Sequence, residues 1–196
     1  MTDSATPRDR SARDRLLHAA AELFYDDGIT ATGIDAIIRH AGVARQSLYN
    51  NFASKSDLVA RYVEMRLAEW RALHAARDAA AEGPAQKILA VFDAHADHAA
   101  RLGQRGYRGC ALLNAATELA TDEPARAVVL RHKAEVEAII AHQLQEMLPE
   151  TPDRAASLAA HLAMLLEGAL ARAGLEADPA RLRHARALAA GMLAAP

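Results

Sequence analysis

The sequence predicts an all-α protein of nine helices, and three observations carry that expectation. Alanine makes up about a quarter of the 196 residues, with aromatics at only 4%. Alanine gives up no side-chain entropy in a helix, so such a chain favours helix almost throughout. Apolar residues recur at three- and four-residue spacing, and no segment shows the alternation of a convincing strand. Capping residues, prolines and glycines then cut this pattern into pieces of helical length. With 52% hydrophobic residues the chain can bury a core without covalent staples.

The first helix is expected from about Ser11 to Asp27, with Leu16, Leu17, Ala20, Leu23 and Phe24 on one face and Gly28 beyond its end. Thr32 is expected to cap a short second helix ending at Ala41-Gly42-Val43, with Asp35 near its positive end. A short third helix follows from about Arg45 to Asn51. Ser54 and Asp57 form a capping-box pattern that opens a fourth, which meets no breaker before Gly83-Pro84. Pro84 starts the fifth, whose apolar stripe reads Ile88, Phe92, His95, Ala99 and Leu102. Gly103, Gly106 and Gly109 bracket a basic loop before a sixth helix from about Cys110 to Thr121. The seventh runs from Pro124 to Leu148, and Thr151-Pro152 and Asp178-Pro179 open the last two. The change from short to long helices places a functional boundary near residue 54, giving modules of 1–53 and 54–196.

A single cysteine excludes a disulfide framework and any CxxC motif. No apolar run is expected to reach the roughly 20 residues that span a bilayer. The arginine-rich start lacks the apolar stretch of a secretory signal, so a cytoplasmic protein is expected. The net charge is −2, but residues 39–66 carry a net +3 and residues 8–15 a net +2. Local basic patches within an acidic average suit a confined DNA footprint, and equally suit ordinary solvated helix faces.

Two short helices joined by a glycine turn form either a plain hairpin or a helix-turn-helix. In Ala44-Arg45-Gln46-Ser47-Leu48-Tyr49-Asn50, Leu48 and the following Phe52 point inward while Arg45, Gln46, Ser47, Tyr49 and Asn50 project outward. Arginine forks to guanine, glutamine or asparagine bridges adenine, and tyrosine and serine hold phosphates. The segment has no acid, which favours a polyanion partner over a solvated face.

Arg15-Leu16-Leu17, Ala20-Ala21-Glu22-Leu23-Phe24, Gly28, Thr32, Ile37, Ala41-Gly42-Val43, Leu48-Tyr49-Asn50-Asn51-Phe52 and Ser54-Lys55-Ser56-Asp57-Leu58 together resemble the signature of the tetracycline-repressor (TetR) family. The resemblance covers about residues 13–60. It implies a homodimeric, ligand-responsive transcription regulator, usually a repressor, with DNA bound by the first three helices. The middle helices would surround a small-molecule effector and the last two would form the dimer. Position by position it makes Thr32, Gly33, Arg45, Gln46, Ser47, Tyr49, Asn50 and Lys55 the DNA-contact candidates, with a reading unit at about 33–52. Arg45, Gln46 and Asn50 would read base edges; Tyr49 and Lys55 would hold phosphates. Two positions depart from the pattern: Ala44 stands where a capping serine is usual, and Ile38 where a small residue is common.

Cys110, Asn114 and Glu118 lie four residues apart along the sixth helix and so form a polar line on one side of it. They are candidate effector contacts, with Trp70, Phe92, His95, Tyr107, Met147 and Met164 as further cavity walls; core packing is the competing assignment for each. The few aromatics suggest an aliphatic cavity. His95 and His98 form a HxxH pair without a third fixed ligand, so no metal and no other cofactor is expected. Nothing supplies an oxyanion hole or orienting group for Cys110, so no catalytic residues and no enzyme activity are expected. Leu158, Leu162, Leu165 and Ala169, with Leu182, Ala185, Leu188 and Met192, form stripes suited to a two-fold contact through the last two helices. The alternative reading is a helical small-molecule or partner-binding module with degenerate DNA recognition, or a Cys110- or metal-responsive sensor on the same fold.

Overall fold

A computed structural model describes residues 11–102 and 105–194 and shows nine helices and no strand among them. Arg8, Arg10 and Gly103, part of the basic patches and loop expected from sequence, lie outside the described residues. Helix α1 (Ala12–Asp26) starts at Ser11, whose hydroxyl accepts from the Asp14 amide at 3.2 Å. Helices α2 (Ile34–Ala41) and α3 (Arg45–Asn51) flank Gly42, which closes α2 in the left-handed conformation at φ 63°. Thr32 does not cap α2. Gly33 holds that position, while the Thr32 hydroxyl turns inward and donates to the Gly28 carbonyl at 2.6 Å.

Helix α4 (Lys55–Ala79) begins at the expected box: Ser54 Oγ accepts from the Asp57 amide at 3.0 Å, and Asp57 Oδ2 accepts from the Ala53 amide at 3.1 Å. It ends at Ala79, short of Gly83. Helices α5 (Pro84–Arg101), α7 (Pro124–Met147) and α8 (Pro152–Glu176) each start on proline, whose missing N–H costs nothing in a first turn. Between them α6 (Ala111–Glu118) is shorter than its sequence pattern, because the chain turns extended at Leu119. Helix α9 (Ala180–Ala194) completes the chain.

Helices α1–α3 form a small module against the first turns of α4. Helices α4, α5, α7, α8 and α9 make the larger bundle, and α6 bridges α1, α4 and α7. One continuous hydrophobic cluster runs from Leu16 in α1 to Leu193 in α9, so the two modules share a core. Contrary to the sequence expectation, α8 is long and apolar enough to cross a membrane by composition alone. Its two apolar faces explain this. Ala155, Leu162, Leu166 and Leu170 are buried in the bundle, while Met164 stands 72% exposed beside half-buried Leu165 and Ala169.

Candidate DNA interface and effector cavity

Helix α3, the candidate reading helix, is held from beneath. Leu48 and Phe52 are buried with Ile37, and the Arg13 guanidinium lies 5.4 Å from the Phe52 ring centre. Helical geometry then leaves Arg45, Gln46, Tyr49 and Asn50 exposed, with Ser47 half-buried. Gln46 Nε2 donates to Asn50 Oδ1 at 3.0 Å, one turn on, which holds two amide-bearing side chains side by side. Arg45 pairs with Asp35 of α2, tying the reading helix to its partner helix where Ala44 offers no side-chain cap. Ile38 is half-buried against the shared core, so its larger side chain is absorbed by packing. Lys55 stands in the first turn of α4 and Gly33 is exposed at the start of α2, both beside helix N-termini that favour phosphate. Thr32, only 3% exposed, cannot offer its side chain to DNA in this conformation.

A cavity of about 560 Å³ lies where the two modules meet. Phe24, Tyr25 and Gly28 form one wall, α6 with Arg108 and Gly109 another, and Leu170, Gly174 and Leu175 of α8 the third. Cys110, Asn114 and Glu118 all line it, on the single side that their spacing implied. The other six expected wall residues do not line it. Trp70, Phe92 and His95 are buried core, where α4, α5 and α7 pack on one another. Tyr107 is buried in the core cluster and Met147 packs on that cluster's edge. Met164 faces outward on α8. Phe24, Tyr25 and the α8 residues were missed because they lie far along the chain from α6 and carry no local signal of a shared wall.

The same walls fasten the modules together. Tyr25 donates its hydroxyl to the Gly109 carbonyl at 3.0 Å and accepts from the Arg108 amide at 2.8 Å. Burial pushes the Tyr25 phenol pKa up, so the group stays a neutral donor. The Arg108 guanidinium donates to the Tyr25 carbonyl at 2.9 Å and also to that of Asp26, covering the negative end of α1. Glu118 accepts from the amides of Ile29 at 3.1 Å and Thr30 at 2.8 Å, in the loop between α1 and α2. Arg105 adds an ion pair to Asp27 at 2.9 Å. Helix α8 meets the α5–α6 loop at Gly174, where an added Cβ would lie 2.9 Å from the Gly109 Cα.

The HxxH pair is not a chelating pair. His95 Nδ1 accepts from Trp70 Nε1 at 3.1 Å, or in the other tautomer donates to the Val91 carbonyl at 2.8 Å. His98 instead sits 3.3 Å from Glu69. No cluster of three His, Cys, Asp or Glu side chains among the described residues is placed to hold a metal. Trp70 is ringed by imidazoles, with His74 stacked at 5.1 Å and His132 edge-on at 4.5 Å between ring centres. On the α8–α9 face, Leu162, Leu182 and Ala185 are buried within the chain, leaving Met164, Leu188 and Met192 exposed.

The sequence profile of bacterial regulatory proteins of the tetR family matches residues 16–62, and that of the LmrA/YxaF-like transcriptional regulator C-terminal domain matches residues 84–188, more than half of the chain. The chain belongs to the TetR family. It is similar to the solved TetR-family regulator SCO4454 from Streptomyces coelicolor, at 30% identity and a TM-score of 0.81, covering 93% of each chain. Two curated relatives from Mycolicibacterium smegmatis match shorter stretches. One is the transcriptional activator FasR, 48% identical over 26% of this chain and 23% of its own length. The other is the transcriptional repressor KstR2, 45% identical over 25% of this chain and 24% of its own length. The chain therefore spans about a quarter of the length of these two curated relatives. As a TetR-family member it shares the all-α fold of SCO4454 over nearly the whole chain.

Proposed function

We propose that this regulator is a cytoplasmic homodimeric repressor that leaves a near-palindromic operator when a small molecule occupies the cavity between α1, α6 and α8. The observation that carries the reading is the shared wall: Phe24, Tyr25 and Gly28 of the DNA-reading module line the same space as Cys110, Asn114 and Glu118. An effector with different affinities for two arrangements of this wall shifts the population between them. The reading unit at 33–52 rides on α1 and the α1–α2 loop, so occupation is felt where DNA is held. Repression, as for KstR2, fits better than the activation named for FasR, because filling the cavity loosens the clasp that places α2 and α3. The boundary at residue 54 separates the reading module from the α4 lever.

Two reading helices would enter successive major grooves about 34–36 Å apart. Arg45, Gln46 and Asn50 would read bases; Gly33, Ser47, Tyr49 and Lys55 would hold phosphates. The test is selection from random duplex DNA, followed by titration of the selected and a scrambled duplex at two salt concentrations. Absence of any enriched sequence would overturn the reading. Lys55→Ala is expected to weaken both duplexes alike and to lower the salt slope by about 1 per half-site.

The dimer contact would use the exposed apolar side chains Met164, Leu188 and Met192. Sedimentation of Leu188→Glu is expected to give a folded monomer, since the side chain is exposed within one chain. A dimer unchanged by the added charges would place the contact elsewhere.

A further inference from the structure

Glu118 serves two contacts in the structure at once. Its carboxylate is part of the cavity wall, and its two oxygens accept the amides of Ile29 and Thr30. It lies so close over Gly28 that an added Cβ there would sit 3.0 Å from Oε1. Whatever draws this carboxylate into the cavity takes away the acceptor that holds the α1–α2 loop. The rest of the wall says what chemistry would do so.

The C-terminal turns of α1 and α8 both border the cavity; Arg108 covers the end of α1, and the end of α8 carries the partial negative charge of a helix C-terminus. Arg108, also on the wall, has its guanidinium committed to the Tyr25 and Asp26 carbonyls. Phe24, Leu113 and Leu170 supply apolar surface, and Leu175, 87% exposed, extends it at the mouth. A ligand that satisfies all three conditions has an apolar body and a cationic donor.

We infer that the cavity takes an amphipathic amine whose ammonium group competes with the Ile29 and Thr30 amides for the Glu118 carboxylate. This rests on the reading of the cavity as the effector site. The amides already donate to an ionised acceptor, and the ammonium adds a full positive charge on the donor side, which turns the contact into an ion pair. The loop ahead of α2 loses its anchor, and the reading helix loses its placement. No covalent step is involved.

The experiment titrates the full-length protein with 4-phenylbutylamine, 4-phenylbutanol and 4-phenylbutyrate, three probes of one shape and different charge. Calorimetry gives the affinities, and amide NMR follows Ile29 and Thr30. The amine is expected to bind about tenfold tighter than the alcohol, with the acid weakest, and to shift both amides. Glu118→Gln is expected to bring amine and alcohol within about twofold of each other. Ala171→Trp, on the exposed side of the α8 wall, is expected to weaken all three probes by filling the space.

The inference is overturned by no amine binding at millimolar concentration, by an acid that binds as tightly as the amine, or by an amine preference that survives Glu118→Gln. Binding that is sensitive to Ala171→Trp but indifferent to charge would sink the amine and leave the effector site standing. Binding indifferent to Ala171→Trp would move the site itself, and the functional reading would fail with it.

Discussion

Gln46→Ala is expected to cut affinity for the selected operator by about 2–6 kcal/mol, while binding to a scrambled duplex stays almost unchanged. A side chain that reads a base edge is worth about 1–3 kcal/mol against the wrong contact, and a two-fold dimer makes that contact twice. Gln46 and its hydrogen-bond partner Asn50 are both exposed, so among the described residues its loss leaves no buried group stranded. Arg45→Ala is expected to do as much on the operator and somewhat more on scrambled DNA, because a full charge leaves as well. Its ion pair with Asp35 sits on an exposed surface, where such pairs contribute little to stability. The fold should therefore survive both substitutions. Titration at one fixed salt concentration decides the matter: equal loss on operator and scrambled DNA would remove base reading from these residues.

The second large effect concerns acid. Trp70 of α4 is enclosed by His74, His95 and His132, from α4, α5 and α7. Burial, with Lys133 nearby, pushes the His132 pKa down to about 4 despite the opposing Glu135 carboxylate. The same two causes push His95 well below its ordinary value, against the Val91 hydrogen bond, and burial lowers His74 against Asp78 and Glu135. Each imidazole is thus neutral in the fold and takes a proton near pH 6.5 once unfolded. The unfolded chain then binds more protons below that pH, so stability is full above about 6.5 and falls as the pH drops below it, for His132 until about 4. For His132 alone the loss is about 3 kcal/mol, and His95 adds in the same direction.

Carboxylates enter later. Glu176, held down to about 2 by Arg181 and Arg172, releases its share only in stronger acid. The urea midpoint, followed by the fluorescence of the single tryptophan, should therefore drop between pH 6.5 and 5. His132→Phe should flatten that drop. A midpoint constant over this interval in the wild type would show that the imidazoles are not buried neutral.

Both effects mark what could be read from sequence and what could not. The reading helix was legible because its information is local: Gly42 ends α2, Leu48 and Phe52 anchor α3, and the outward side chains follow from the period. The Ser54–Asp57 box was legible for the same reason. Thr32 was misplaced because a hydroxyl beside a helix start caps that helix or bonds backward to the preceding turn, and only the tertiary fold selects Gly28. Cys110, Asn114 and Glu118 share a side by spacing alone, but whether a side faces a cavity depends on what stands opposite. Phe92 and His95 show the converse, since an apolar stripe reads the same against a solid core as against a hollow. The opposite wall at Tyr25 and Leu170 comes from distant segments, and Met164 was assigned inward when the bundle turns it out.

The contact between Gly109 and Gly174 limits how such a protein can be retuned. Backbone meets backbone there, so a side chain at Gly174 has no space to occupy, and one at Gly109 is strained by φ 91° as well as crowded. A breeder of new effector specificities would find these two sites closed and Leu113, Leu170 and Leu175 open. Variation in ligand preference among descendants of this chain should therefore collect on the apolar walls, while the glycine contact beside them stays invariant.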